Sequence, residues 1–133
     1  MKLEHLGIMV RDLEKSREFY EELLGFKLVK TVDDPKTGGK MVYLDLGGNM
    51  IELIWYPDAV NEAEAVEPKV GIHHIHIFVE SSDSIHEIVE ALEEKGVSII
   101  EKPTQAIRGG TRAAVYDPDG VYVGLVDGPL LDG

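Results

Sequence analysis

The sequence predicts an α+β fold made of two βαβββ modules whose curved mixed sheets surround a shared cleft. Three observations lead there. A strand, an amphipathic helix and three further β-rich runs occur in that order twice along 133 residues. Landmark residues of the two copies keep a nearly constant offset: His5 with His74, Val10 with Val79, Phe19 with Ile88, Leu23 with Leu92, Gly25 with Gly96 and Gly48 with Gly120. Alternation along the strands gives each copy one apolar face and one face that carries polar residues.

In the first copy, residues 3–10 read as a strand. Asp12 then caps a helix whose apolar positions Leu13, Phe19, Tyr20, Leu23 and Leu24 follow helical spacing, with Gly25 as its left-handed terminator. Residues 26–32, 40–46 and 50–56 are strands, punctuated by Gly38-Gly39 and Gly47-Gly48-Asn49. In the second copy a strand covers 72–79, and Ser81 or Ser82 is the expected cap of a helix with Ile85, Ile88, Val89 and Leu92 on one face. Gly96 ends that helix. Strands follow at 97–101, 112–116 and 121–126, with Asp117-Pro118-Asp119-Gly120 as a tight turn before the last. The expected organisation is one domain, 1–133: a first module at 1–57, an acidic linker at 58–70 and a second module at 71–133.

Composition narrows the function. Apolar residues are 44% and charged residues 29%, which suits a water-soluble domain with a core. No stretch approaches the roughly 18 apolar residues of a membrane span, and Met1-Lys2-Leu3-Glu4-His5 lacks the apolar region of a secretory signal. A cytoplasmic location is expected. The absence of cysteine excludes disulfides, thiolate metal ligands and cysteine nucleophiles. With 13 basic against 25 acidic residues, the net charge of −12 repels phosphate backbones and anionic lipid. That charge disfavours nucleic acid and membranes as partners, and a small molecule is the expected one.

Strand parity selects the candidate site. Leu6, Ile8 and Val10 share the helix-covered face of the first strand, leaving His5, Gly7 and Met9 on the other. In 50–56, Ile51, Leu53 and Trp55 form the apolar face and Glu52 points the opposite way. In the second copy Ile75, Ile77 and Val79 face the helix, while His74, His76, Phe78 and Glu80 do not; His73 has helix-side parity. His5, Glu52 and His74 thus leave the apolar faces and converge on the inner side of a curved sheet. Their imidazole nitrogens and carboxylate oxygens suit a divalent metal. A carboxylate inside so apolar a strand demands a partner, because burying it unpaired is costly.

The segment His5-Leu6-Gly7-Ile8-Met9-Val10-Arg11-Asp12-Leu13-Glu14-Lys15-Ser16, with Phe19-Tyr20 and Leu24-Gly25-Phe26, resembles the opening module of the vicinal oxygen chelate superfamily. That group holds glyoxalase I, methylmalonyl-CoA epimerase, extradiol dioxygenases, and fosfomycin and bleomycin resistance proteins. Gly71-Ile72-His73-His74-Ile75 and Asp117-Pro118-Asp119-Gly120 resemble its second module. The motifs are nearest those of glyoxalase-I-like and epimerase-like members. The resemblance implies four metal-ligand positions, which fall on His5, Glu52, His74 and Gly124. The fourth has no side chain. It is the position that supplies the triad carboxylate in extradiol dioxygenases and fosfomycin resistance enzymes.

The resemblance further implies one divalent ion (zinc, nickel, cobalt, manganese or iron) that grips adjacent substrate oxygens and stabilises enolate-like charge. The leading expectation is a metal-dependent lyase or isomerase of lactoylglutathione-lyase type acting on a small carbonyl compound. A non-haem iron dioxygenase and a non-catalytic binding or resistance protein are the alternatives. Glu52, His76 and Tyr122 are the candidates for moving the proton. Arg108 and Arg112 flank Gly109-Gly110-Thr111, where guanidinium groups beside backbone amides would hold a substrate carboxylate or phosphate. A homodimer is expected, since each module leaves sheet edges to cover and relatives often pair.

Overall fold

Both copies of the repeat form a four-stranded mixed sheet in this computed structural model, which describes residues 2–59, 72–80, 83–107 and 109–129. The chain divides into two compact units, Met1–Lys69 and Val70–Gly133. The linker expected at 58–70 lies, from residue 60 onward, outside the described residues.

In the first unit β1 (His5–Met9) leads into α1 (Leu13–Arg17), then β2 (Lys27–Asp33), β3 (Lys40–Leu46) and β4 (Asn49–Trp55) follow. The sheet order is β1-β4-β3-β2, with β1 parallel to β4 and the other pairs antiparallel. The second unit repeats this with β5 (Ile75–Phe78), α2 (Ile85–Glu94), β6 (Ile99–Gln105), β7 (Thr111–Tyr116) and β8 (Tyr122–Val126). Its order is β5-β8-β7-β6, with β5 parallel to β8. The two topologies are the same, as the sequence offset requires.

Alternation decides what is buried. Ile8 and Val10 lie under the first helix, with Ile51 and Leu53 of β4 and Val42 and Leu44 of β3 on the same face. Val79, Ala113, Val115, Val123 and Leu125 do the same in the second unit, beneath Ile85, Val89 and Leu92 of α2. Among the described residues no helix is long and apolar enough to cross a membrane.

Several elements differ from the sequence expectation, among them β5, which covers Ile75–Phe78 where the sequence predicts 72–79. The first helix is α-helical only to Arg17; Glu18–Leu23 is a π-helical turn, in which the Leu24 amide donates to the Phe19 carbonyl. The wider turn accompanies two adjacent buried aromatic rings, Phe19 and Tyr20, which meet edge-to-face, and Tyr20 meets Phe26 likewise. Ser84 caps α2 by accepting from the Glu87 amide; Ser81 and Ser82 lie outside the described residues. Strand β6 runs through Pro103 instead of stopping at Glu101. It is a sheet edge, where a residue without an N–H is tolerated, and the register shifts on the β7 side between Glu101 and Thr104.

The N-cap of α1 is as expected: Asp12 is extended and accepts from the Lys15 amide at 3.1 Å. Removing it leaves helix donors unsatisfied, so Asp12→Ala is expected to cost about 1 kcal/mol in urea unfolding. Leu53→Ala, at a site with 0% exposure, is expected to cost about 2–5 kcal/mol. Equal costs for the two would contradict this assignment of cap and core.

Candidate metal centre

The hairpin between β3 and β4 fixes the first half of the site. Gly47 and Gly48 both have positive φ, 60° and 91°, the pair of left-handed residues that a two-residue type I′ turn needs. Such a turn leaves one register, and it sets Tyr43 opposite Glu52. On the other side of β4, the parallel partner of Glu52 is Gly7.

Glu52 is therefore flanked by a phenol and by a position with no side chain. The Tyr43 hydroxyl donates to Oε1 at 2.9 Å, and His5 Nε2 stands 3.0 Å from Oε2. The ring of His5 also meets Tyr43 edge-to-face, centroids 5.7 Å apart. The other imidazole nitrogen, Nδ1, faces Glu4 Oε1 at 3.3 Å. The carboxylate side chain is only 13% exposed, so these two contacts supply the partners that burial demands. Its hydrogen bond to Glu52 raises the Tyr43 phenol above its ordinary value of 10.0, with burial and the Glu52 charge adding to the shift.

In the second unit His73, His76 and Tyr122 come together around His74. The rings of His74 and His76 are 5.3 Å apart, and Tyr122 lies 5.6 Å from both His73 and His74. His73 Nδ1 and His74 Nδ1 are 2.9 Å apart. When His74 carries the proton of that bond, its Nε2 is the atom left to face a ligand, as in metal-binding histidines held by a neighbour. His73 does not turn to the helix-covered face. The strand starts only at Ile75, so alternation does not extend back to it.

Among the described residues no group of three or more His, Cys, Asp or Glu side chains is arranged so that it could hold a metal ion. Of the expected ligands His5 and Glu52 pair in the first unit, and His74 lies in the second, beside the proton-transfer candidate His76. Gly124 sits on β8 opposite His76. Arg108 lies outside the described residues. Arg112 is engaged with Glu101, its Nε 2.8 Å from Oε1 and its Nη2 3.4 Å from Oε2. The Gly-rich loop beside it also uses its amides internally: Gly109 donates to the Ala106 carbonyl, and Thr111 to Asp127 Oδ1 at 2.6 Å.

Tyr43 is the residue that the sequence reading did not select. Its signal was present, because a two-residue loop at 47–48 makes the numbers of paired residues fixed and places 43 opposite 52.

The comparisons agree with this architecture. A family model, the Glyoxalase/Bleomycin resistance protein/Dioxygenase superfamily, matches residues 2–125. A lactoylglutathione lyase of Escherichia coli O157:H7 is 29% identical over 96% of this chain and 93% of its own length. The mitochondrial methylmalonyl-CoA epimerase of Bos taurus is 33% identical over 76% of this chain, a match covering 58% of that relative. A glyoxylase/bleomycin resistance protein/dioxygenase domain from Frankia sp. EAN1pec superposes with a TM-score of 0.80 at 23% identity, over 97% of this chain and 98% of its own.

The Tyr43–Glu52 bond has a pH signature. A raised phenol pKa means that the folded state holds the proton more tightly than the unfolded chain. The associated stability is fully present below about pH 10 and is lost as pH rises through the folded value. Tyr43→Phe is expected to flatten this alkaline loss of stability, read as urea midpoints across a pH series. An unchanged alkaline slope would show that the bond does not persist in solution.

Proposed function

The chain belongs to the Glyoxalase/Bleomycin resistance protein/Dioxygenase superfamily, and on that premise we propose that it is a metal-dependent lyase or isomerase that shifts a proton beside the carbonyl of a small molecule. One observation carries this reading. Glu52 is a nearly buried carboxylate with one oxygen held by Tyr43 and the other against an imidazole nitrogen. Relatives named as a lactoylglutathione lyase and a methylmalonyl-CoA epimerase support the reaction class.

In the first unit the spacing of one pair of donor atoms supports a divalent ion. Two ligand atoms bound tetrahedrally at about 2.0–2.1 Å stand about 3.3 Å apart, and His5 Nε2 and Glu52 Oε2 are 3.0 Å apart. We assign His5, Glu52 and His74 as its protein ligands. A bound divalent ion supplies Lewis-acid stabilisation of negative charge on substrate oxygen, which acidifies the adjacent carbon.

The chain's own contribution is to hold and move the proton. Glu52 is the carboxylate of the pair, and to take the proton and return it Oε2 would first have to leave the ion. The Tyr43 hydroxyl stays on Oε1 throughout, so the group does not swing away when Oε2 changes its protonation. Glu4 and His73 fix the Nδ1 sides of His5 and His74 and so direct each Nε2. Tyr122 packs against the rings of His73 and His74 and limits their rotation.

The exposed apolar residues Leu28 and Val29 on the edge strand β2 favour a homodimer, as a second copy would cover them. Sedimentation at micromolar concentration is expected to show a dimer, and monomer alone would overturn this.

The activity test is solvent deuterium exchange by protein reconstituted with zinc, nickel or cobalt. The panel comprises hemithioacetals, 2-methyl-branched acyl thioesters and 2-hydroxy ketones. Exchange is expected with at least one class. His5→Ala and His74→Ala are each expected to lose metal by elemental analysis, and Glu52→Gln to slow exchange by about 10²–10⁴-fold. Oxygen uptake with a catechol and ferrous iron, without exchange, would overturn the reading in favour of a dioxygenase. Tight ligand binding without turnover would overturn it in favour of a binding protein.

A further inference from the structure

Strand register sorts the face of the first sheet that carries Glu52 into rows of opposite character. The row through the carboxylate holds Gly7, Glu52 and Tyr43. Two residues along the strands, about 6.7 Å away, Met9, Ile54, Met41 and Val32 stand side by side. Two residues the other way, His5, Asp45 and Lys27 give the opposite row its polarity. Glu52 therefore marks a boundary between an unbroken apolar row and a polar one.

The apolar row is accessible, and it begins where the carboxylate ends. Met9 is 53% exposed, and Val32, Met41 and Ile54 are half-buried. Their neighbours on the helix-covered face, Ile51, Leu53 and Val42, are buried. Gly7 leaves a bare spot at the junction: a Cβ there would stand 3.3 Å from Ile54 Cδ1 and 3.8 Å from Glu52 Oε2. The methyl end of Ile54 and the carboxylate oxygen thus border the same space over the glycine backbone. Beyond the row, Tyr56 takes up the next step. Its ring lies against Gly39, where a Cβ would stand 2.5 Å from Cε1.

We propose that this row seats an unbranched aliphatic chain on the carbon whose proton is exchanged. The substrates are then carbonyl compounds that carry a chain of butyl size in place of a methyl group. The inference rests on the functional reading of Glu52 given above and adds a substrate class to it. A carbon over Gly7 lies between Glu52 Oε2 and Ile54, so its proton meets the carboxylate and its substituent meets the row. Met9 and Met41 bring flexible thioether side chains, which adapt to a flexible ligand. A chain along the row removes apolar surface from water, and a methyl group would leave most of that surface uncovered. A charged substituent would lose water there and find no partner. The Tyr56 ring limits the length that fits.

Three of the chain's four methionines, Met9, Met41 and Met50, lie on this face and report where a chain binds. The probes are the hexanoyl and acetyl thioesters of N-acetylcysteamine. Each is titrated into the full chain, labelled at its methionine methyl groups, and followed by NMR. The Met9 and Met41 methyls are expected to shift with the hexanoyl probe far more than with the acetyl one. Met50, on the polar side of Glu52, is expected to respond equally to both. Hexanoyl binding is expected to be at least about tenfold tighter, since each added methylene contributes about 2–4-fold. Met41→Gln is expected to cut that advantage several-fold, and Met41→Leu to keep it.

Equal affinities, chain-dependent shifts at Met50 in place of Met9 and Met41, or no shift at all would each overturn the proposal. The exchange assay stands apart from these readouts, so the functional reading would survive any of them. Chain-dependent shifts at Met9 and Met41 in a metal-loaded protein that exchanges no substrate would do the reverse. They would overturn the proton-transfer reading and uphold the row as the seat of the chain.

Discussion

In each unit the first strand lies parallel to the last, and the register of that pair decides which side chains meet. Gly7 pairs with Glu52 in one sheet and His76 with Gly124 in the other. A slip of one residue would turn Glu52 into the apolar layer and bring Ile51 or Leu53 to the polar face. Burial makes such a slip costly, because Ile51 and Leu53 fill the core on the other side of β4. The Gly47-Gly48 turn locks the adjoining β3–β4 pairing in the same sense. Packing and turn chemistry thus specify the polar site from opposite sides of one strand.

Glu52 shows why the specification matters. A carboxylate that keeps only 13% of its side-chain exposure is tolerable where its oxygens find donors. Tyr43 reaches it from β3 across an antiparallel pair, and His5 reaches it from two residues before Gly7 on β1. A Cβ at position 7 would press on Ile54 Cδ1 at 3.3 Å and stand in ordinary contact, 3.8 Å, with Glu52 Oε2. The glycine there makes no demand on the backbone, as it is not among the residues with positive φ.

Most of this was legible in the residues. The offset between His5 and His74 revealed the repeat, and period-2 alternation separated Glu52, His5 and His76 from the core. What local pattern could not reveal was contact across strands chosen by turn geometry or by crowding. Nothing local distinguishes Tyr43 from any other strand tyrosine; its partner Glu52 follows from the two-residue loop at 47–48. The strand begins only at Ile75, so its alternation assigns His73 no face. The π-helical turn answers to the tertiary burial of Phe19 and Tyr20, which no helical period encodes. The pattern around Arg112 predicts an anion cradle, yet Glu101 engages its guanidinium and Asp127 the Thr111 amide.

Between neighbouring strands at one register, there is room for one long side chain leaning across the pair. Which strand carries it is open, and the repeat uses both answers. The first sheet places a carboxylate on β4 and backs it with a phenol; the second places an imidazole on β5 over the small residues Gly124 and Ala114. The backbone is the same in both cases, so donor type changes without moving a strand. A carboxylate needs an opposing hydrogen-bond donor because burial penalises its charge, and Tyr43 provides one. His76 is exposed, so burial does not impose that demand on its imidazole, and Ala114 stands in the place of Tyr43. The composition of each three-residue row follows from the chemistry of the single polar group it must house.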